Sequence, residues 1–194
     1  MFDLHVIHTI ANGIKYYAQN QTAFNGIFNQ TNIAIKNKYF ARLQTLVNEV
    51  QVDVAFTRKS EKFPLVSVSL SEARIEETTF LGNTGHGGRL TQLVNQECRI
   101  NIFAKDMNDI RILHQIIVAS LLLFKKSFFD ISYLDIRYIQ SKDLTPIEML
   151  TSDNALVLNR ELIYMSTYQL EIAPTQDPNS FDLPWEINAS VEDF

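Results

Sequence analysis

Gln96-Glu-Cys-Arg-Ile-Asn-Ile-Phe-Ala104, Lys105-Asp-Met-Asn-Asp109 and Ile110-Arg-Ile-Leu-His-Gln-Ile-Ile-Val-Ala-Ser-Leu-Leu-Leu-Phe124 follow one another without a break. The first piece has a period of two. Cys98, Ile100 and Ile102 face one way, Glu97, Arg99 and Asn101 the other, which predicts a half-buried strand. The third piece has a helical period through Ile110, Leu113, Ile117, Leu121 and Phe124, widened by Ile116 and Val118. Asp106 stands at the N-cap position, and Asp109 adds an acid to the first turn. Lys125 and Lys126 follow at the opposite pole of the helix dipole. A strand feeding an apolar helix reads as a folding nucleus and not as a catalytic signature.

Upstream, Val50, Val52, Val54 and Phe56 alternate with Gln51, Asp53 and Ala55, and Val66, Val68 and Leu70 with Ser67 and Ser69. Two strands are expected there as an antiparallel pair, the second continuing through Ala73 and Ile75. Pro64 restricts its strand to a start or an edge. Helical spacing covers Asp3 to Ala18, with Leu4, Ile7, Ala11, Ile14 and Ala18 on one face, and Lys36 to Glu49 through Tyr39, Phe40, Leu43, Leu46 and Val47. Gly13 weakens the first of these helices by about 1 kcal/mol relative to Ala. Between the two, Phe24, Ile27 and Phe28 form a hydrophobic anchor in an Asn/Gln-rich loop or short helix. Downstream, strands are expected over Ile131–Ile139 and Arg160–Ile172. They are joined by a connector with Pro146 and a helical turn at Ile147–Leu150. The sum is an α+β fold, an antiparallel or mixed sheet with helices packed on one face. The segments are an N-terminal helical extension (1–36), an α+β domain (37–172) and an extended acidic tail (173–194).

The 194 residues fit one domain and a tail. With 46% hydrophobic residues the chain can fill a core. The last 22 residues carry Asp177, Asp182, Glu186, Glu192 and Asp193 and no Lys or Arg, so they hold the whole net charge of −5. A neutral body with no basic stripe argues against direct nucleic-acid binding. The start of the chain reads as free of a signal peptide, and the longest apolar run is too short for a membrane span. A reducing cytosol is therefore expected for folding. The one cysteine, Cys98, reads as core.

No nucleophile, base and orienter are set out in a recognisable pattern, and no catalytic residue, cofactor site or metal site is assigned. His5 and His8 read as boundary histidines, as does His114 beside the apolar stripe. Glu72, Glu76 and Glu77 read as a solvated strand face. The loop Leu81–Arg89 holds four of the six glycines. It matches neither the P-loop nor the dinucleotide pattern. Gly82, Asn83, Gly85, His86, Gly87, Gly88 and Arg89 are assigned instead as a partner-docking loop, which orders on its partner. In the tail, Phe181, Leu183, Trp185 and Ile187 are too apolar for a solvated segment and are assigned as a docking tail.

Three stretches in this order carry a resemblance. Phe63-Pro-Leu-Val-Ser-Val-Ser-Leu70, running on to Thr79-Phe-Leu-Gly82, resembles the aromatic-Pro, alternating-strand, Phe-Leu-Gly segment of tail-terminator and neck proteins of tailed bacteriophages. Cys98-Arg-Ile-Asn-Ile-Phe-Ala-Lys-Asp106 with its apolar helix is similar to their strand–helix unit. Leu158-Asn-Arg-Glu-Leu-Ile-Tyr-Met165 looks like their late arginine–aliphatic–tyrosine strand. The resemblance covers residues 40–172 and is one of fold, not chemistry. It implies a structural virion protein assembled in the host cytoplasm, a homohexameric ring that caps the tail tube. In contractile tails such a ring also holds the last sheath ring. It joins the tail to the neck and head connector, with DNA passing through the bore without specific binding and no membrane involved. The alternatives are another ring-forming particle component, at head completion or baseplate, and a small-molecule-binding α+β module. The last requires a pocket with convergent polar groups around His86 or His114.

Overall fold

The computed structural model describes residues 2–54, 62–81, 90–129, 133–147 and 156–172. Three helices come first: α1 (Phe2–Gln19), α2 (Gln21–Ile27) and α3 (Ile33–Glu49). The strands β1 (Gln51–Val54), β2 (Leu65–Leu70), β3 (Arg74–Leu81) and β4 (Leu90–Ala104) follow, then α4 (Met107–Leu123) and α5 (Lys125–Phe129). The strands β5 (Tyr133–Ser141), β6 (Thr145–Ile147) and β7 (Val157–Ile172) complete the described order. The fold is α+β. One seven-stranded mixed sheet runs β1-β2-β4-β7-β5, with β3 beside β4 and β6 beside β7.

The opening stretch is built as its pattern demands. Asp106 caps α4, its side chain accepting from the Asn108 amide at 2.8 Å. Cys98, Ile100, Ile102 and Ala104 of β4 point into the main core beside Ile110, Ile112, Leu113, Ile116, Ile117 and Leu121 of α4. Each such Ile or Leu contributes roughly 1.5–3 kcal/mol by leaving water. α1 and α2 enter the same cluster through Phe2, Val6, Ile10, Ile14, Tyr17, Phe24 and Phe28. Phe24, Phe28, Phe40 and Tyr39 pack ring against ring, with centroids 4.8–5.6 Å apart, and so lock α2 to α3.

The face that α1 buries is shifted from the expected one and shares part of it: Ile14 is buried, and Ile7 and Ala18 pack against the core. Leu4 is 50% exposed, while Phe2, Val6, Ile10, Ile14 and Tyr17 are buried. Both sets have helical spacing. The set with the larger side chains removes more apolar area from water, and it turns inward.

β4 and β7 pair antiparallel along their whole length, from Leu90 opposite Ile172 to Ala104 opposite Leu158. On the other side of β4, β2 lies along Cys98–Phe103 and β3 along Thr91–Asn95. β2 and β3 are therefore two parts of one line, interrupted at Ser71–Ala73. Ser71 holds the interruption on β4: its amide donates to the Glu97 carbonyl at 2.8 Å, and its hydroxyl accepts from the Glu97 amide at 3.1 Å.

β1 and β2 pair parallel, not antiparallel, with Gln51 opposite Leu65 and Val54 opposite Val68. The ten residues between the strands contain no glycine for a tight hairpin. At roughly 3.3 Å per residue they are long enough to carry the chain back past so short a strand. The antiparallel partner of β2 is β4 instead. β6 takes the place of the expected connector at Thr145–Ile147, with Pro146 on an edge strand where its missing N–H costs nothing.

The opposite face of the sheet is polar. Arg99 pairs with Glu97 and lies 3.8 Å from Glu161, which also pairs with Lys142. A small apolar cluster of Leu65, Phe103, Val157 and Phe63 covers one part of this face. That division, one face packed and one wet, is usual for antiparallel sheets.

Candidate functional site

The assigned docking residues Gly82, Asn83, Gly85, His86, Gly87, Gly88 and Arg89, and Phe181, Leu183, Trp185 and Ile187, lie outside the described residues. The points where their segments leave the sheet are described, and they are neighbours. Leu81 pairs with Thr91, and Leu90 pairs with Ile172. The glycine-rich loop and the acidic tail thus both depart from one end of the sheet. The main core cluster takes Cys98, Ile100, Ile102 and Ala104 from β4 and Leu162 and Tyr164 from β7, toward the other end.

A groove of about 460 Å³ opens near that other end, lined by Phe28, Thr31, Ile35, Tyr39, Arg111, His114, Gln115 and Arg160. Its geometry follows from local sequence. Arg111, His114 and Gln115 are three and four residues apart on α4 and so share a face. Asn32 caps α3, accepting from the Ala34 amide at 2.8 Å. That start, three residues earlier than the apolar spacing of Tyr39 and Phe40 implies, places Ile35 at the groove with 45% of its surface exposed. Tyr39 donates its hydroxyl hydrogen to Asn108 at 3.4 Å, tying α3 to α4 at the groove wall. Arg160 comes from β7, on the same side of the sheet as Leu158 and Leu162, which pack on the helices.

Among the described residues that line the groove, the charged side chains are all basic. The Nε of Arg160 and the Nε2 of His114 are buried without a hydrogen-bond partner among the described residues. Burial, and then the neighbouring Arg160 charge, hold the His114 imidazole down to about 4, so it is neutral at pH 7. Arg111 is exposed at the rim. Two cations beside an apolar wall of Phe28, Ile35 and Tyr39 suit an anionic group attached to an apolar one.

The sequence pointed to His114 as a boundary residue, and it is half-buried at the groove. In the sequence Arg160 stood only in the strand motif that carries the resemblance and Arg111 in no pattern, because their convergence depends on how β7 passes under α4. Nor did it show the pairing of Arg42 with Asp109, which read only as a first-turn acid. Arg42 on α3 grips the buried Asp109 with two bonds, 2.8 Å from Nε and 2.7 Å from the terminal nitrogen. It also reaches Glu49 at 2.9 Å, and these partners raise its pKa, the Asp109 hydrogen bonds most of all. This is a clamp between helices rather than a reactive pair.

Cys98 is fully buried, and burial pushes its thiol up to about 12, which keeps it protonated. His5 meets the Ser127 hydroxyl at 3.1 Å and the edge of Phe128 at a centroid distance of 4.7 Å. Among the described residues no group of three or more His, Cys, Asp or Glu gathers as a metal site, and no helix is long and apolar enough to cross a membrane. No protein-family model matches the chain, and no curated protein matches it.

Proposed function

We propose that this chain is a structural component of a tailed-bacteriophage particle, a tail-terminator or neck ring that caps the tail tube and joins it to the head connector. In a contractile tail it would also hold the last sheath ring. The observation that carries the reading is the pair of unlike open edges on the sheet. β1 stands at one end of the strand order and β5 at the other, each with one side unpaired among the described residues. β5 exposes Tyr138 and Ile139 at 42% and 47%. An open edge bearing apolar side chains is a place for another chain to add. A ring closes by heterologous contacts, in which two different surfaces of one chain meet on neighbouring copies. The shared departure point of the loop and the tail adds support, since it offers one end of the sheet to the ring above or below. The neutral body suits a bore through which DNA passes without being gripped.

The test is assembly without this protein. Heads and tails should then accumulate unjoined, with tail tubes running past their normal length. Particles of normal titre and tail length would end the proposal.

A second reading has one observation in its favour. The groove at His114 is the kind of pocket that a small-molecule-binding module requires. A small anionic molecule that stays with the purified protein in native mass spectrometry, together with normal particles in its absence, would favour that reading.

A further inference from the structure

We propose that the groove between α3 and α4 receives the Phe181–Ile187 segment of a second copy of this chain. Each copy would thereby be strapped to its neighbour by its acidic, aromatic C-terminal stretch. The proposal deepens the ring reading and rests on it for self-association.

Three observations converge. The first is charge. The groove presents Arg111 and Arg160, neither with an acidic partner among the described residues, beside a neutral His114. The segment Phe181-Asp-Leu-Pro-Trp-Glu-Ile187 carries two acids and no base. A carboxylate in the groove would pair with the guanidinium of Arg160, which lines it.

The second is shape and polarity. The apolar wall of Phe28, Ile35 and Tyr39 suits an aromatic anchor. Trp185, flanked by Leu183 and Ile187, is such an anchor, and an indole beside an arginine adds a cation–π attraction. The exposed Ile35 would be covered.

The third is reach, which selects the neighbour's tail over the chain's own. Arg160 and Ile172 are twelve residues apart on β7, roughly 40 Å at about 3.3 Å per residue. The tail leaves from Ile172, at the far end. Phe181 lies nine residues further on and spans at most about 32 Å, and Trp185 at most about 47 Å. A chain folding back into its own groove would place Phe181 short of it and hold Trp185 almost straight. A neighbour whose β7 ends near the groove meets no such limit.

Trp185 is the one tryptophan of the chain, so its emission reports the site directly. The experiment follows the tryptophan emission of the full-length protein against concentration, with the mass measured by light scattering on the same samples. The expected result is a blue shift of several nanometres that rises in step with self-association. It should be lost in Arg111→Glu, an exposed position whose circular dichroism should stay that of the parent. It should return when Arg111→Glu is combined with Glu186→Arg or Asp182→Arg. Assemblies whose tryptophan stays solvent-like, or whose shift survives Arg111→Glu and Arg160→Gln, would overturn the groove proposal and leave the ring reading standing. A shift independent of concentration would place the chain's own tail in the groove and overturn the exchange. A monomer with solvent-like emission at every concentration would overturn both.

Discussion

Gly13 decides how closely α1 approaches α4. A methyl group at this position would lie 1.9 Å from the Ser120 hydroxyl oxygen and 2.5 Å from its Cβ. Helix propensity alone predicts that Gly13→Ala stabilises by about 1 kcal/mol. The contact predicts the opposite, a net loss of about 1–3 kcal/mol from overpacking. Ser120→Gly in the same chain should restore most of it. Urea unfolding gives the sign, and a more stable Gly13→Ala single variant would show that the helices are further apart than described. His114 gives a pH signature. Its folded pKa is about 4 against an ordinary 6.5, so the unfolded chain takes up the proton first. Its contribution is complete above pH 6.5, falls as the pH drops toward 4 and is level below. The urea midpoint should therefore decline less between pH 6.5 and 4 in His114→Gln than in the parent. Equal slopes would mean that the imidazole is solvated. Roles of this kind were legible where they depend on local spacing. The Asp106 cap and the buried Cys98 follow from period and position alone. Gly13 read only as a weak point in a helix, because the residue it accommodates is more than a hundred positions away.

The elements are held by contacts that fall between them. Arg42 on α3 and Asp109 on α4 are the clearest case, since the Asp109 side chain is only 5% exposed. Removing the guanidinium leaves a carboxylate in the interior without a partner. Arg42→Ala should cost about 3 kcal/mol, whereas Arg42→Met with Asp109→Leu should recover most of that loss. Thermal or urea unfolding of the parent and the two variants gives both differences, and a neutral Arg42→Ala would mean that water compensates Asp109. At this scale the sequence was informative about which elements exist. The alternation of β2, β4 and β7 and the stripe of α4 are local patterns, and the structure has them. Pairing was less legible. β1 and β2 are adjacent in sequence and each alternates, but alternation carries no strand direction, and the partner of β2 lies thirty residues further on in β4. The burial face of α1 was equally ambiguous, since Leu4–Ile7–Ala11 and Phe2–Val6–Ile10 both satisfy a helical period. Asp109 looked like a first-turn acid, and only the approach of α3 makes it a buried anchor.

At the scale of the whole molecule, the sheet has a wet face, a packed face and two unlike edges. One end carries the roots of the loop and the acidic tail, and the groove opens near the other. The charge asymmetry along the sequence anticipated part of this arrangement. The neutral body and acidic tail were visible at once, but the basic groove was not, because its cations come from α4 and β7. The proposed self-assembly into a ring is tested by the mass of the purified full-length protein from light scattering, with negative-stain images of the same peak. Six copies of the 22.3 kDa chain are expected, in a six-fold ring with a central hole. A monomer at every concentration, with no ring in any image, would contradict it.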